Sequence, residues 1–524
     1  MGNTLFGGIL SRVLAGMACL LATQSAFAEL QNVDIGGELR MRYRYYRNVF
    51  EEDFSPTIRI PGFFLPKRPI GAPAVVSLFD WNGSGGDWHF SESAVLLNVS
   101  ADFTNNVSSY IELYDYYEWG EDFRSDYLTG QDSRATTGDD VEVNQAYIQV
   151  DEMFGTPLRL RVGRQALVMG KGWLVNEFLT PTQRLSFDAV RLTYDTEAFT
   201  VDAFASKVLE TGISEQDGDV DFYGVYATYK PLKALDISAY WYWLRDARSL
   251  NDTNETAVLE WIENIADLDN YDATNLHTVG ARLNGALGAW DYDLEVAYQF
   301  GEADAHGARF VPIGFTYGDD EAEYDNWGAD LNTGYTFDVA WSPRVSLIAA
   351  YFGGHDNRDL SFIDWINPFY EAEASVSFNR LFADKNYLPV VNDNGWLSNF
   401  YMVGGGVDVK PTDAISAHVQ LARAWITAPF NPPATFTVGK WRVPLAPALS
   451  FWTDEGSDDI GWEASGYIKY TYSEDLYFLL YYSHLFPDDG LTDGGYFQFN
   501  GTGFSGGSDT DDADYVFLMS VLKF

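Results

Sequence analysis

The sequence has almost no cysteine, few basic residues and no long apolar stretch beyond its N-terminal segment. Its single cysteine, Cys19, lies in that segment, so the rest of the chain can form neither a disulfide nor a thiolate metal site. Lys and Arg number 33 against 76 Asp and Glu, and the net charge of −43 argues against a nucleic-acid-binding role. No later window approaches the ~18 consecutive apolar residues of a membrane-spanning helix.

Catalytic and metal-binding motifs are equally scarce. The six histidines form no spaced metal motif, and the sequence contains no Gly-x-Ser-x-Gly elbow. Ser416 and His418 share one face of a predicted strand, which leaves a hydrolase as the weakest alternative. Acidic runs at 217–219 and 509–514 offer oxygen ligands for Ca²⁺ but lack the EF-hand spacing that ends in Glu. We therefore predict neither an enzyme nor a cofactor, and interpret these runs as solvated loop carboxylates.

The N-terminal segment has the features of a secretory signal peptide. A basic residue precedes a short apolar core at 13–21, and a small-x-small pattern typical of signal peptidase sites ends at Ala28. A lipoprotein signal at Cys19 is the weaker alternative. We predict a signal peptide over residues 1–28 and a single barrel domain over residues 29–524.

What the sequence does contain is aromatic residues and period-two alternation. Aromatics make up 16% of the chain and hydrophobic residues 46%, a composition that argues against disorder. In WDYDLEVAYQF, residues 290–300, the large apolar side chains share one face and the acidic side chains share the other. Segments of this kind match the ~9–11 residues with which a tilted strand crosses a bilayer.

The connections between these segments alternate between short and long. Short connections such as 104–106 and 231–234 have turn-like sequences, whereas 245–274 and 354–398 are longer than loops of compact soluble domains usually are. Short turns at one end and long loops at the other are typical of an outer-membrane barrel. We predict an all-β fold, a transmembrane antiparallel β-barrel of 18 strands with long extracellular loops and short periplasmic turns. A secreted, soluble β-sandwich or β-helix is the alternative.

The stretch GGELRMRYRYYR, residues 36–47, indicates which strand face looks inward. Three of its arginines alternate with Leu, Met and Tyr. An arginine that faces mid-bilayer lipid costs roughly 2–4 kcal/mol, so the arginine face must look into the lumen. The same rule predicts further charged residues there. The residues predicted to line the pore are Glu38, Arg40, Arg42, Arg44, Glu112, Arg159, Arg161, Arg191 and Arg282.

Two interpretations of these lumenal charges stay open. Arginine and acidic side chains can pair across strands and stiffen the wall of the barrel. Alternatively, unpaired guanidinium groups form a pathway for anionic or hydroxyl-rich solutes, because the planar guanidinium fork binds carboxylates bidentately and keeps its charge.

Two features predict partners at the membrane. Val516, Leu518, Leu522 and the terminal Phe524 share one strand face, a pattern like the signal read by the bacterial barrel-assembly machinery. More than half of the acidic residues fall in the proposed loops, where carboxylates could bind divalent cations that bridge to lipopolysaccharide. We therefore predict outer-membrane lipid, lipopolysaccharide and the assembly machinery as partners.

Several stretches together resemble the alginate-export porin family of Gram-negative outer membranes. They are GGELRMRYRYYR, VNQAYIQV at 143–150, PLRLRVGRQALVMG at 157–170 and RLSFDAVRLTY at 184–194. The resemblance implies an 18-stranded barrel whose arginine-lined conduit passes an anionic polysaccharide outward. It also implies a set of conduit residues, namely Arg40, Arg42, Arg159, Arg161, Arg164 and Arg191. The acidic loops depart from this expectation, because they would repel a polyuronate at the exit.

We predict a monomeric channel in the outer membrane of a Gram-negative bacterium. It would pass hydrophilic, anionic or sugar-like solutes through an arginine-bearing lumen. A polysaccharide export channel that works with periplasmic partners is one alternative. A surface adhesin or structural barrel with acidic loops is another.

Overall fold

The computed structural model describes the barrel strands, most residues of the short turns and parts of the long connections. The described residues are 29–51, 85–119, 141–178, 184–210, 219–232, 234–247, 273–302, 309–311, 314–316, 323–354, 377–383, 385–390, 397–428, 435–438, 441–444, 457–492, 498–499 and 512–524. The predicted signal peptide, residues 1–28, lies outside them, as do parts of the two acidic runs considered for Ca²⁺.

Eighteen strands form one sheet. They are β1 Leu30–Glu51, β2 Gly85–Phe103, β3 Val107–Glu118, β4 Glu142–Val150, β5 Leu158–Gln165, β6 Phe187–Asp195, β7 Phe199–Leu209, β8 Val220–Leu232, β9 Leu235–Asp246, β10 Thr274–Leu287, β11 Trp290–Glu302, β12 Glu323–Thr336, β13 Arg344–Phe352, β14 Phe400–Thr412, β15 Ile415–Ile426, β16 Asp459–Thr471, β17 Leu476–Pro487 and β18 Ala513–Lys523.

Short elements lie in the connections. Three small antiparallel pairs join Arg309–Val311 with Gly314–Thr316, Leu397–Ser398 with Gln498–Phe499, and Thr435–Val438 with Trp441–Pro444. A 3-10 turn spans Met153–Gly155 and one helical turn spans Asp489–Thr492. No helix among the described residues is long and apolar enough to cross a membrane.

Each strand pairs antiparallel with its neighbours in sequence, and β1 also pairs with β18, so the sheet closes into a barrel. The seam between the first and last strands runs from Glu38 opposite Lys523 to Arg47 opposite Asp514. Closure gives every barrel strand two hydrogen-bonded neighbours, which removes the open edges that a bilayer does not tolerate. The predicted 18-stranded antiparallel barrel is confirmed.

Side chains alternate between the two faces of the wall. On β1, Met41 is 45% exposed while its neighbour Arg42 is only 2% exposed. Between the two ends of the barrel, the exposed face is apolar and aromatic and forms the outer surface, whereas the charged side chains at this level point inward. The outer face therefore matches lipid tails, where burying arginines would be costly.

The two ends of the barrel differ in the length of the connections between strands. Short turns, such as 104–106 and 472–475, join strand pairs at one end, where β1 begins and β18 ends. Long connections, such as 52–84 and 353–399, join pairs at the other end. Outer-face rings gather near both ends. Near the short turns, Trp290 packs edge-on against Tyr335 with ring centres 6.0 Å apart.

Candidate functional site

The arginines of β1 lie on the inner face, where a buried carboxylate holds two of them. Arg42 Nε donates to Glu92 Oε1, and Arg44 Nε donates to the same oxygen at 3.1 Å. Glu92 is fully buried, and its second carboxylate oxygen accepts a hydrogen bond from the Tyr116 hydroxyl at 2.7 Å. Two predicted pore-lining arginines are therefore packed into the wall.

Arg40 lies one step closer to the short turns and is also paired. Its Nη2 donates to Glu38 Oε1 at 2.7 Å, and both side chains are mostly buried. The Arg40 guanidinium lies 5.5 Å from the ring centre of Phe178, and the Arg184 guanidinium lies 4.4 Å from the same ring. Phe178 belongs to the connection after β5, so that connection reaches the inner face of β1.

Glu112 on β3 is a structural carboxylate of the wall. It accepts hydrogen bonds from Asn144 Nδ2 at 2.5 Å, Gln145 Nε2 at 3.1 Å and the Tyr110 hydroxyl at 2.7 Å. Because these donors occupy its oxygens and it is buried, Glu112 ties β3 to β4.

Arg159 and Arg191 lie on the inner face of β5 and β6, each beside a carboxylate. Arg159 Nε is 2.5 Å from Asp151 Oδ1, and Arg191 Nη2 is 2.8 Å from Asp202 Oδ1. Asp151 lies in a short turn outside the strands. Burial acts to raise the pKa of its carboxyl, but hydrogen bonds from Arg159 and Gln149 outweigh burial and hold that pKa below its ordinary value.

Arg161 differs from the other arginines of this wall. It lies directly opposite Arg191 in the sheet register. Its guanidinium donates to the neutral Gln149 Oε1 at 3.0 and 2.7 Å and lies 4.2 Å from the ring centre of Tyr147. Within the described part of the chain, no carboxylate oxygen lies within 4.0 Å of it. The structure therefore gathers three arginines on β5 and β6, and one of them keeps its charge without a paired acid.

Arg282 lies across the barrel from the arginines of β1, because its strand, β10, is nine strands from β1 in either direction around the sheet. Its guanidinium binds Asp293 through contacts of 2.6 and 3.0 Å and approaches Glu295 to 3.8 Å. Arg282 is thus part of a mixed wall in which cations and carboxylates alternate.

Two segments of the long connections fold into the lumen, which the sequence analysis did not predict. We call them the inner segments: the first is residues 166–178, and the second is residues 377–383 with 385–390. Trp173, Val175, Phe378 and other apolar side chains of these segments are buried against the inner face of the wall. A signal was present, because ALVMGKGWLV at 166–175 is too apolar for a solvated loop and lacks strand alternation.

Asp330 on β12 binds both inner segments. Lys171 Nζ and Lys385 Nζ each lie 2.5 Å from one of its two oxygens, and the Tyr387 hydroxyl donates to it at 2.5 Å. Asp330 is 1% exposed. Because a buried carboxylate needs such partners, this cluster holds the segments and the wall together.

The inner segments also bind each other. Trp173 Nε1 donates to the Tyr387 hydroxyl at 2.9 Å, and the Phe382 amide donates to the Leu174 carbonyl at 2.9 Å. Val175 and Phe382 form an isolated parallel bridge. The two segments are therefore one packed unit rather than two separate loops.

A cavity of about 310 Å³ lies between the inner segments and the wall formed by β10 to β12. Lys171 and Lys385 line it from the segments, and Asp291 and Asp293 line it from the wall. Asp291 is itself paired with Arg344 at 2.5 Å. Within the described ranges, no group of three His, Cys, Asp or Glu side chains could hold a metal ion.

Arg164 does not lie where the sequence analysis placed it. It follows Val162, which is on the outer face, by two residues, and it lies opposite Asp188. Asp188 is flanked by Phe187 and Ala189, both buried on the inner face, so Asp188 and Arg164 point outward. The expectation that Arg164 lines the conduit came from the family resemblance, and the strand alternation contradicts it.

Comparison with known proteins gives a sequence match and a set of similar structures. The sequence model of a family described as alginate export matches residues 83–430. No curated protein matches the chain. OccK8 (OprE) of Pseudomonas aeruginosa is 12% identical with a TM-score of 0.48, covering 94% of this chain and 98% of that chain. OpdO of the same organism is 11% identical with a TM-score of 0.48, covering 94% and 97%. Its outer membrane protein opdK is 10% identical with a TM-score of 0.45, covering 94% and 98%.

Proposed function

This chain belongs to the alginate export family of outer-membrane porins, and from that premise we propose that it passes anionic or sugar-like hydrophilic solutes along its arginine-bearing wall. Transport would be passive, by diffusion across the outer membrane of a Gram-negative bacterium. The proposal concerns the solute class and the wall that contacts it.

The observation that carries the proposal is the environment of Arg161. The Arg161 guanidinium donates to the neutral amide of Gln149 and lies over the ring of Tyr147. Arg159 and Arg191 lie beside it on the same wall. A guanidinium in this setting is rigidly oriented and available to a carboxylate, which it can bind through two parallel hydrogen bonds.

The inner segments occupy part of the lumen. They pack against β11 and β12 through Gln299 and Asp330, and the ring of Phe382 contacts Phe187 of β6 with ring centres 4.9 Å apart. In the mixed wall, Asp293 and Asp330 are paired with Arg282, Lys171 and Lys385. Within the described residues, Arg161 differs from these paired charges because it has no direct carboxylate partner.

Export of an anionic polysaccharide is the second candidate, and the family match favours it. A polymer would thread past the inner segments and leave Arg161 in contact with successive acidic residues. Uronate oligomers would then block the ionic current from one side in a length-dependent manner, whereas monomeric uronate would not.

The proposal is tested by ion selectivity in planar bilayers. We expect an anion-selective channel, and we expect Arg161→Gln to lower the anion-to-cation permeability ratio. One lumenal charge acting across roughly 8 Å at an effective dielectric of about 40 contributes about 1 kcal/mol, or about a fivefold change.

Arg164→Gln is the matched control, because it removes the same charge from the outer face. It should leave the permeability ratio unchanged. A cation-selective wild-type channel, or an Arg161→Gln channel with the wild-type ratio, would contradict the proposal.

A further inference from the structure

A row of alternating charges crosses the outer face of five adjacent strands. Arg164 lies opposite Asp188, Asp188 opposite Lys207, Lys207 opposite Asp221, and Asp221 opposite Arg245. We call these five residues the ionic belt. Their neighbours along each strand are buried on the inner face, for instance Phe187, Phe222 and Leu244, so the belt itself faces outward.

The belt lies at the long-connection end of the barrel, and below its β8 and β9 residues begins a row of aromatic rings that continues to β11. Two residues closer to the short turns, Tyr223, Trp243, His277 and Phe300 stack in sequence, with ring centres 5.1, 5.6 and 5.2 Å apart. Aromatic rings of this kind gather where hydrocarbon meets the head groups. Charges on the lipid face within the hydrocarbon are costly, so the belt must lie in the head-group layer of the outer leaflet.

The contacts within the belt leave its charges near the surface. Arg164 Nη1 and Asp188 Oδ2 are 3.8 Å apart, and the two side chains are 45% and 62% exposed. Lys207 Nζ is closer to its acids, at 2.6 Å from Asp219 and 2.7 Å from Asp221. Strands lie ~4.8 Å apart, so cations recur about every 10 Å along the row with a carboxylate between them.

A second row of polar side chains lies on the outer face at the same end of the barrel. On β17, β18 and β1, His484 lies opposite Asp514, and Asp514 lies opposite Arg47, which is 3.2 Å from it. A head-group layer in which phosphates alternate with divalent cations is complementary to the ionic belt. Each belt cation can bind a phosphate, and each belt carboxylate can bind a metal ion.

We propose that the ionic belt on β5 to β9 is a docking surface for the phosphorylated head group of lipopolysaccharide, with Arg164 as its most accessible phosphate contact. The aromatic row beneath it contacts the acyl chains. The surface fixes the barrel's depth and orientation in the outer leaflet, and it is independent of what passes through the lumen.

The test compares lipopolysaccharide binding by three proteins in detergent, measured by native mass spectrometry and by the thermal unfolding shift on lipid addition. They are the wild type, the double variant Arg164→Gln/Lys207→Gln and the control Lys230→Gln/Lys410→Gln. The control removes two exposed cations at the short-turn end. We expect roughly tenfold weaker lipopolysaccharide binding by the first double variant and unchanged binding by the control.

Equal binding by all three proteins would overturn the proposal, as would wild-type binding of phosphatidylglycerol as tight as that of lipopolysaccharide. If the double variant does not fold, the pair Arg164→Gln and Arg164→Lys answers the same question, because only the second retains the cation. Arg164→Gln should keep wild-type ion selectivity, so failure here is distinguishable from failure of the proposed conduit.

Discussion

Glu92 shows how a single carboxylate can decide the role of two arginines. Arg42 and Arg44 both donate to it, and Tyr116 satisfies its other oxygen. Alternation along β1 correctly predicts that these arginines point inward. It does not reveal that both arginines bind one buried carboxylate, because that residue lies on β2.

Replacing Glu92 with Gln should destabilise the barrel strongly. The substitution removes the charge of the buried carboxylate that both guanidinium groups bind, and breaking a buried pair in this way costs about 3 kcal/mol. We expect a clearly lower guanidinium-chloride midpoint in detergent. Asp188→Asn, which removes an exposed carboxylate, should leave that midpoint unchanged, and equal midpoints for both variants would refute the assigned role.

Gly37 is a position where the seam between β1 and β18 requires a residue without a side chain. A Cβ there would lie 2.5 Å from Phe524 Cζ and 2.7 Å from the Leu96 carbonyl oxygen. We expect Gly37→Ala to cost about 1–3 kcal/mol, because the backbone oxygen cannot move aside. Heat-modifiable migration on SDS gels measures the loss.

Gly405→Ala is the matched control for the seam. The nearest atom to a Cβ at Gly405 is the Ser346 carbonyl oxygen at 3.6 Å, an ordinary van der Waals contact. Its unfolding temperature should therefore stay close to that of the wild type. A Gly37→Ala barrel as heat-resistant as Gly405→Ala would show that the seam tolerates a side chain.

At the scale of elements, each barrel strand was predictable because its signal is local. The alternating segment at 290–300 is observed as the strand Trp290–Glu302, and its alternation can be read from the sequence alone. The inner segments were not predictable in this way. Their positions depend on partners such as Asp330 and Gln299, which lie far away in sequence.

Asp330→Asn should loosen the inner segments. The change removes the charge that Lys171 and Lys385 share while keeping the shape of the side chain, a loss of about 3 kcal/mol from two charge-assisted hydrogen bonds. We expect a larger and noisier single-channel conductance.

Asp188→Asn on the outer face is a suitable comparison for Asp330→Asn, since it removes one carboxylate from outside the lumen. Its conductance should match that of the wild type. An Asp330→Asn channel with a quiet, wild-type conductance would show that apolar packing around Trp173 and Phe378 holds the segments without the carboxylate.

At the scale of the whole molecule, a negatively charged chain carries a group of arginines on its lumenal wall. The chain carries −43, yet the described wall of β5 and β6 presents Arg159, Arg161 and Arg191. Either the negative charge of the whole chain or the lumenal arginines can control permeation. Which of them does depends on how far each lies from the permeating ion, because salt screens distant charges first.

Ion selectivity should therefore depend on salt in a defined direction. The Debye length falls from ~10 Å at 0.1 M to ~3 Å at 1 M. If lumenal arginines dominate, anion selectivity persists at 0.1 M and weakens at 1 M. Reversal potentials at a constant concentration ratio measure this, and cation selectivity that appears on dilution would show that acidic residues outside the arginine wall control entry.

The pairing of β1 with β18 has a consequence for biogenesis. The amide of Gly37 donates to the Phe524 carbonyl at 2.9 Å, and the Phe524 amide returns a hydrogen bond to Gly37 at 3.1 Å. Phe524 thus contacts a residue of β1 that is far away in sequence, and such distant contacts form slowly. Until β1 and β18 meet, each has one unpaired strand edge, so we expect the chain to need protection from aggregation before the barrel closes.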